Sequence, residues 1–468
     1  MLPNNLKYGN KAESSMARSY TSNIQPNGAL GGYGKGSVTT IMIPTGPNLA
    51  LVATESVLKF SASMTGAGGA QGRLDAGGAH GFIQRIRVFH GSNLLEDTDS
   101  YGLAAKEYFD LQISTDAAYG KYSIIAGTRN DMVVSTVNTA LGGAAIDAAG
   151  TLVLANTMRT AIINGGRATA VNSGAIMPHV TPTFYSITLL SILGSLCSNN
   201  YFPLFECTAS PLRLEIQWAN GPQSVGAFAD TTTDFTINSI EYIASYIALS
   251  SEAMSIIKGG LNGPLSFTMQ GFRNYNTTAN LPAGGTTQIN FNIPAKFASV
   301  KNVIASVRDT AMGVNTPLHF PHSSNMNSLT SYYFKIGSHS SIPAIAPSTV
   351  PQYFTELLKA VSSISDLNHQ PSIDLTSYQQ NLAVVNDAAT ITAGSVNSGS
   401  FYIGLDLENY AVANKSTIYT GYNTKNDDMI LTMNFATGAA AIASARFDAF
   451  VMFDQELVFQ DGTCYVSF

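Results

Sequence analysis

Few residues in this chain have the type and spacing to do chemistry, and they are scattered. His319 and His322 stand three apart in a His-Phe-Pro-His run, and His339 lies downstream. Imidazoles so spaced could begin a zinc site, but such a site needs a third and a fourth ligand. Pro321 also forbids the regular helix on which a metalloprotease motif sets its histidines. Asp406 and Glu408 flank Leu407, and Asp427 and Asp428 adjoin one another further on. Carboxylates can serve acid–base catalysis or bind calcium, yet nothing pairs these at a useful spacing, and they read as solvated loop charge. The glycine tracts at 66–69 and 77–78 do not follow a strand and open a helix, as a phosphate loop would, and no G-x-S-x-G elbow is present. Asn276 and Asn414 head glycosylation sequons that matter only to a chain in the secretory pathway. Cys197, Cys207 and Cys464 have neither metal-ligand spacing nor an even-numbered disulfide framework, and they read as buried thiols in a reducing compartment. The expectation is no catalytic residue, no cofactor and no metal.

Composition narrows the classes further. Charged residues make up 12% of the 468, about half of the ~25% usual in soluble domains. A surface so poor in charge suits neutral loops or cover by partners. The net charge of −6 opposes direct binding to nucleic acid through phosphate neutralisation. No apolar signal core opens the sequence, and no apolar run reaches the ~18 residues of a membrane helix. A soluble protein made in the cytosol is expected.

The elements that would position these residues are mostly strands. The central stretch is 81–103, where Phe82, Ile86 and Val88 alternate with Arg85 and Arg87. Gly91 gives the turn, Leu94 and Leu95 the return strand, and Asp97 or Asp99 a cap for a helix bearing Tyr101, Leu103, Ala104, Tyr108 and Leu111. Arg85, Arg87 and Glu96 read as the polar face and turn of this unit, facing neighbouring chains or loops. Residues 212–218 alternate fully, with Leu212, Leu214, Ile216 and Trp218 on one face, so the single tryptophan is placed in the core. Strands are also expected at 37–44, 51–63, 235–246, 288–293, 299–307, 332–336, 401–407, 429–435 and 447–453. A second helix starts near Ser348, Thr349 and Pro351 and presents Tyr353, Phe354, Leu357, Leu358 and Val361. Asp461-Gly462 marks a last hairpin. Many short strands with sparse helix give an all-β fold of two tandem jelly-roll β-sandwiches. The expected division is an N-terminal arm (1–36) of charge +3, a first jelly roll (37–218), a linker (219–226) and a second jelly roll (227–468).

Several segments in order then resemble one family. In residues 83–104, Gly91, Leu95, Glu96 and Tyr101 fit a segment of viral major capsid proteins in which a strand leads into G-x-x-x-L-E-x-I-x-x-Y, with Thr98 where Ile is common. Residues 299–309, 331–338, 354–360, 401–410 and 420–424 are similar to downstream segments of the same family. The resemblance is to double jelly-roll major capsid proteins of the adenovirus-like lineage of double-stranded DNA viruses, nearest the virophage and Polinton-like members. It implies upright sandwiches, a homotrimer with a pseudo-hexagonal outline, and an icosahedral shell in the virion, with synthesis in the host cytoplasm. The implied partners are neighbouring capsomers, penton and minor capsid proteins, and an internal membrane or neighbouring capsomer against the N-terminal arm. Two other classes stay open on the residues alone. One is a carbohydrate-binding β-sandwich, suggested by 21 tyrosines and loop Asn and Asp residues. The other is a β-sandwich hydrolase using Asp406 or Glu408.

Overall fold

The computed structural model describes residues 17–65, 72–74, 77–127, 176–177, 182–197, 201–220, 226–227, 234–260, 264–281, 287–309, 322–364, 371–373, 378, 399–408, 420–436 and 442–467. In the first half the strands are β1 (Ala17–Ile24), β2 (Val38–Ile43), β3 (Leu49–Leu51), β4 (Val57–Thr65), β5 (Gly72–Arg73), β6 (Ile83–His90), β7 (Asn93–Asp99), β8 (Ile176–Met177), β9 (Thr183–Ile187), β10 (Leu212–Trp218), β11 (Gly226–Ala227) and β12 (Asp234–Leu249). Helices α1 (Tyr101–Gln112), α2 (Thr115–Tyr119) and α3 (Lys121–Ile125) follow β7, and α4 (Ser251–Gly260) leads into the second half. There the order is β13 (Leu265–Leu281), β14 (Thr287–Ile293), β15 (Val300–Asp309), β16 (Leu329–Ile336), β17 (His339–Ile342), α5 (Val350–Ala360), β18 (Ile403–Asp406), β19 (Met429–Phe435), β20 (Ile442–Gln460) and β21 (Thr463–Ser467).

The first half builds one sheet in the order β1-β12-β4-β9 and another in the order β2-β10-β6-β7; the second builds β13-β20-β15-β18 and β14-β19-β16-β17. Among the described residues, apart from the short strands β3, β5, β8 and β11 and the terminal β21, each half has eight strands. Counted along the chain, both halves place them as 1-8-3-6 in one sheet and 2-7-4-5 in the other. All neighbours are antiparallel. This is the jelly-roll order, made twice in one chain. The main helix of each half, α1 or α5, occupies the same connection, between the fifth and sixth strands.

The strand pattern follows from side chains that alternate across the pleat. In β10 the inward residues Leu212, Leu214, Ile216 and Trp218 are buried while Arg213, Glu215 and Gln217 are half-buried on the outer face. Trp218 is 0% exposed. Its indole Nε1 donates to Thr39 Oγ1 at 2.8 Å, and its ring meets Phe60 edge-on at 5.3 Å. The second core is built likewise, from Phe291, Val303, Tyr332, Leu431 and Val451.

Three expectations need correction. Residues 219–226 do not divide the sandwiches, because β12 beyond them pairs with β1, β3 and β4 and completes the first one. Phe235, Ile237, Tyr242, Ala244 and Tyr246 fill the first core, with a bulge between Asn238 and Glu241 and Ser239 at φ 53°. The passage to the second sandwich is α4. The arm assigned to 1–36 is part of the first sandwich from Ala17 onward, since 17–24 form the edge strand β1. That strand is exposed along nearly its whole length, so no buried period marks it in the sequence. The cap of α1 is Ser100, in the left-handed region at φ 51°. Asp97 and Asp99 instead accept from Arg85 and Gln84.

Trp218→Ala is expected to lower unfolding stability by about 3–5 kcal/mol, because it leaves a cavity and strands Thr39. Urea unfolding followed by circular dichroism measures it, and a variant within about 0.5 kcal/mol of wild type would mean the β10 faces are assigned the wrong way round.

Candidate functional site

The residues that do most in this structure lie where the two sandwiches meet. Helix α1 leaves β7 of the first sandwich and crosses to the second. Tyr101, Leu103 and Ala104 stay in the first core, while Leu111 belongs to the second. Gly102 permits the approach, since a Cβ there would lie 2.7 Å from His322 Nε2.

Lys106 and Asp110 stand one turn apart on the crossing face, and both side chains are 0% exposed. Lys106 Nζ donates to Asp110 Oδ2 at 2.8 Å, Ser400 Oγ at 2.7 Å, Tyr402 OH at 2.9 Å and, more weakly, Gly399 O at 3.3 Å. Tyr402 OH donates in turn to Asp110 Oδ2 at 2.8 Å. At the end of the helix, Ser372 N donates to Asp110 O at 3.0 Å and Ser372 Oγ to Phe109 O at 3.0 Å. Carbonyls that a helix end leaves unpaired are therefore met by the second sandwich. Beside them Asp448 is buried between Arg308 at 2.7 Å and Arg446 at 3.0 Å, and Arg446 Nη2 reaches the Ser100 hydroxyl at 2.8 Å. Burial, with the charge of Asp448 second, pushes the Glu107 carboxyl well above its ordinary range.

The C-terminal hairpin makes a second tie. Asp461 at φ 52° and Gly462 at φ 74° form the two-residue turn foreseen between β20 and β21. Leu457, Phe459 and Cys464 then join the first core, and Phe459 meets Phe202 edge-on at 5.5 Å. Ala209 N donates to Gly462 O at 3.0 Å, Asn93 Nδ2 to Cys464 O at 3.0 Å, and Cys464 N to His90 Nδ1 at 3.1 Å.

The residues singled out from the sequence are dispersed. His319 lies outside the described residues. His322 is buried against Gly102, and His339 starts β17, so the described histidines share no site. Glu408 is not solvated loop charge: it pairs with Lys301 at 2.9 Å, both being less than one-fifth exposed, and accepts from Thr420 Oγ1 at 3.3 Å. Asp406 accepts from Glu408 N at 3.0 Å, and burial, ahead of the Glu408 charge, raises its pKa. Asp428 pairs with Lys296 at 2.7 Å, and Tyr422 OH donates to Asp427 Oδ2 at 3.3 Å. Among the described residues no three of His, Cys, Asp and Glu converge. On the outer face of the first sandwich, Arg85 binds Asp97 through two 2.6 Å bonds, and Arg87 and Arg213 share Glu215.

Glu96 is a further correction. It is buried, not a turn residue, because a bulge between Val88 and Phe89 breaks the β6–β7 alternation and turns both Leu95 and Glu96 inward. Ser191 Oγ donates to it at 2.5 Å and Ile192 N at 3.0 Å. Burial outweighs these bonds and lifts its pKa to about 7. The Lys106–Asp110 pair, which sequence reasoning missed, did leave a signal: opposite charges at i,i+4 inside an apolar helical stretch.

No family model and no curated protein matches the sequence. Solved structures do match, and they define the class of architecture: two jelly rolls in one chain. A capsid chain of the PBCV-1 virus is 10% identical over 99% of both chains, with a TM-score of 0.58. A chain of the Sputnik virophage is 9% identical over 100% of this chain and 92% of its own, with a TM-score of 0.58. The mavirus major capsid protein is 13% identical over 100% and 93%, with a TM-score of 0.53. At these identities the likeness is one of fold, and the fold is the double jelly roll of those capsid proteins.

Two outcomes are expected of this seam. Lys106→Met, which leaves a buried carboxylate without its cation, should cost about 3–5 kcal/mol, and adding Asp110→Leu should recover part of the loss. Urea midpoints of the wild type, the double variant and both single variants, Asp110→Leu alone included, test it, and additive losses would show that the two groups do not interact. Glu96 binds its proton more tightly folded than unfolded, so it opposes folding as pH rises from about 4.5 to about 7, and fully above that. The penalty at high pH is of order 3 kcal/mol. Glu96→Gln keeps the acceptor for Ser191 and Ile192, so the stability gap favouring the variant should open between pH 5 and pH 8. A gap independent of pH would contradict it.

Proposed function

We propose that this chain is a non-enzymatic structural protein, the major capsid protein of an icosahedral double-stranded DNA virus. It self-assembles as a homotrimer whose six sandwiches form a pseudo-hexagonal capsomer. The observation that carries the reading is the repeated 1-8-3-6 and 2-7-4-5 strand order, held in one fixed relation by α1 and the C-terminal hairpin. Three copies of a chain with two like, rigidly joined units give six near-equivalent positions round a threefold axis, which is the shape that tiles a shell. A movable joint would give no such tile. The fold likeness to capsid proteins supports the same reading. The low charge content suits broad contact with other copies. On this reading the protein resides in the virion after synthesis in the host cytoplasm. Its partners are neighbouring capsomers, penton and minor capsid proteins, and an internal membrane near the N-terminal arm.

Recombinant protein should elute with a light-scattering mass of about 150 kDa, three times the 49.5 kDa chain. In negative stain it should show hexagonal outlines. A stable monomer without that outline at micromolar concentration would overturn the proposal.

A further inference from the structure

We propose that Cys207 and Cys464 form a redox modification site, closing into a disulfide that ties the last strand of the chain to the first sandwich when a small-molecule disulfide is the oxidant. Cys207 ends the short helical turn Leu204–Glu206 in the first half, and Cys464 lies on β21 at the far end of the sequence. Both are unbridged and buried in the same core, and the Cys207 thiol lies near enough to raise the Cys464 pKa.

One imidazole holds the two backbones in place. Cys464 N–H donates to His90 Nδ1 at 3.1 Å, so that nitrogen carries no proton. His90 Nε2–H then donates to Ser210 O at 3.0 Å and Cys207 O at 3.3 Å. Asn93 Nδ2 fixes the Cys464 carbonyl at 3.0 Å, and Phe459, the partner of Cys464 in the β20–β21 register, is buried against Phe202. Two cysteines, one from each half of the chain, are thus brought to one imidazole in the first core.

The chemistry is thiol–disulfide exchange. Cys464, on the hairpin that lifts, loses its proton to water and attacks one sulfur of the small disulfide. A mixed disulfide forms, and the first small thiolate leaves and takes up a proton. Cys207, deprotonated in turn, attacks the Cys464 sulfur. The Cys207–Cys464 bond forms, and the second small thiolate leaves and is protonated. Two protein thiols are oxidised, and one small disulfide is reduced to two thiols. In the closed hairpin the contact with Cys207 and burial both raise the Cys464 pKa, so the thiolate forms only on opening. The crosslink therefore forms slowly and, once made, is shielded from reductants. That suits a shell that leaves a reducing cytosol. This use rests on the capsid reading, whereas the crosslink itself does not.

The test takes the full chain, freed of reductant, incubates it with oxidised glutathione and quenches with N-ethylmaleimide. Of the three cysteines in the sequence, Cys197 should remain alkylated, and peptide mass mapping should find Cys207 joined to Cys464, reversibly with dithiothreitol. Asn93→Ala, which removes one hydrogen bond holding the hairpin shut, should speed the crosslink roughly fivefold without changing its identity. Three alkylated thiols after prolonged oxidation, a bond to Cys197, or glutathione adducts that never resolve into the link would each overturn the assignment. The readout is covalent mass, so it stands whether or not the protein forms trimers.

Discussion

An ammonium and a carboxylate withdrawn from water set the terms for this molecule. Removing Lys106 and Asp110 from solvent costs several kcal/mol for each ion even after relaxation. The structure offsets this by surrounding the pair with the Ser400 and Tyr402 hydroxyls and the Gly399 carbonyl, all from the other sandwich. Apolar contact between two sandwiches tolerates sliding, whereas this network is satisfied in one register only. Because both charges ride on one helix, α1 carries its counter-ion with it and enters the second sandwich as a neutral unit. The seam thus gains its specificity from polar groups and its adhesion from Phe459, Leu457 and Leu111.

The duplication is exact in strand order and unequal in use. Helix α5 occupies in the second half the connection that α1 occupies in the first, yet it turns back on its own sandwich. Its Leu357 lies against Gly404 of β18 so closely that a Cβ at Gly404 would come 2.8 Å from the Leu357 Cα. Tyr353 and Leu357 stay in the second core. One helix therefore closes a sandwich and the other joins two. The exchange is mutual in another way, since the last strand of the second half packs into the first.

How much of this was legible in the sequence follows from the range of each interaction. The alternation in β10, the amphipathic face of α5 and the turn at Asp461-Gly462 are local, and each stands where its residues place it. Period-two patterning reports that a face is buried, not what buries it. The β12 alternation was therefore legible while its owner was not, because its partners β1 and β4 lie far back in the chain. A bulge hid Glu96 by one residue of slip, since a single extra residue exchanges the faces of a strand. The charges of Lys106 and Asp110 were visible, but the residues that make their burial tolerable, 399–402, are distant in sequence.

The two equivalent outer faces carry different chemistry. In the first sandwich the face of β10, β6 and β7 is a ladder of ions: Arg213, Glu215 and Arg87, then Arg85 and Asp97. In the second, the matching face of β14, β19 and β16 is mostly amides and hydroxyls, with Lys335 exposed on the same side. Thr432 Oγ1 donates to Asn290 Oδ1 at 2.9 Å and Asn434 Nδ2 to Ser331 Oγ at 3.0 Å. Identical strand order with unlike outer faces is possible because the inward side chains fix the order, while the outward ones answer only to their cross-strand neighbours.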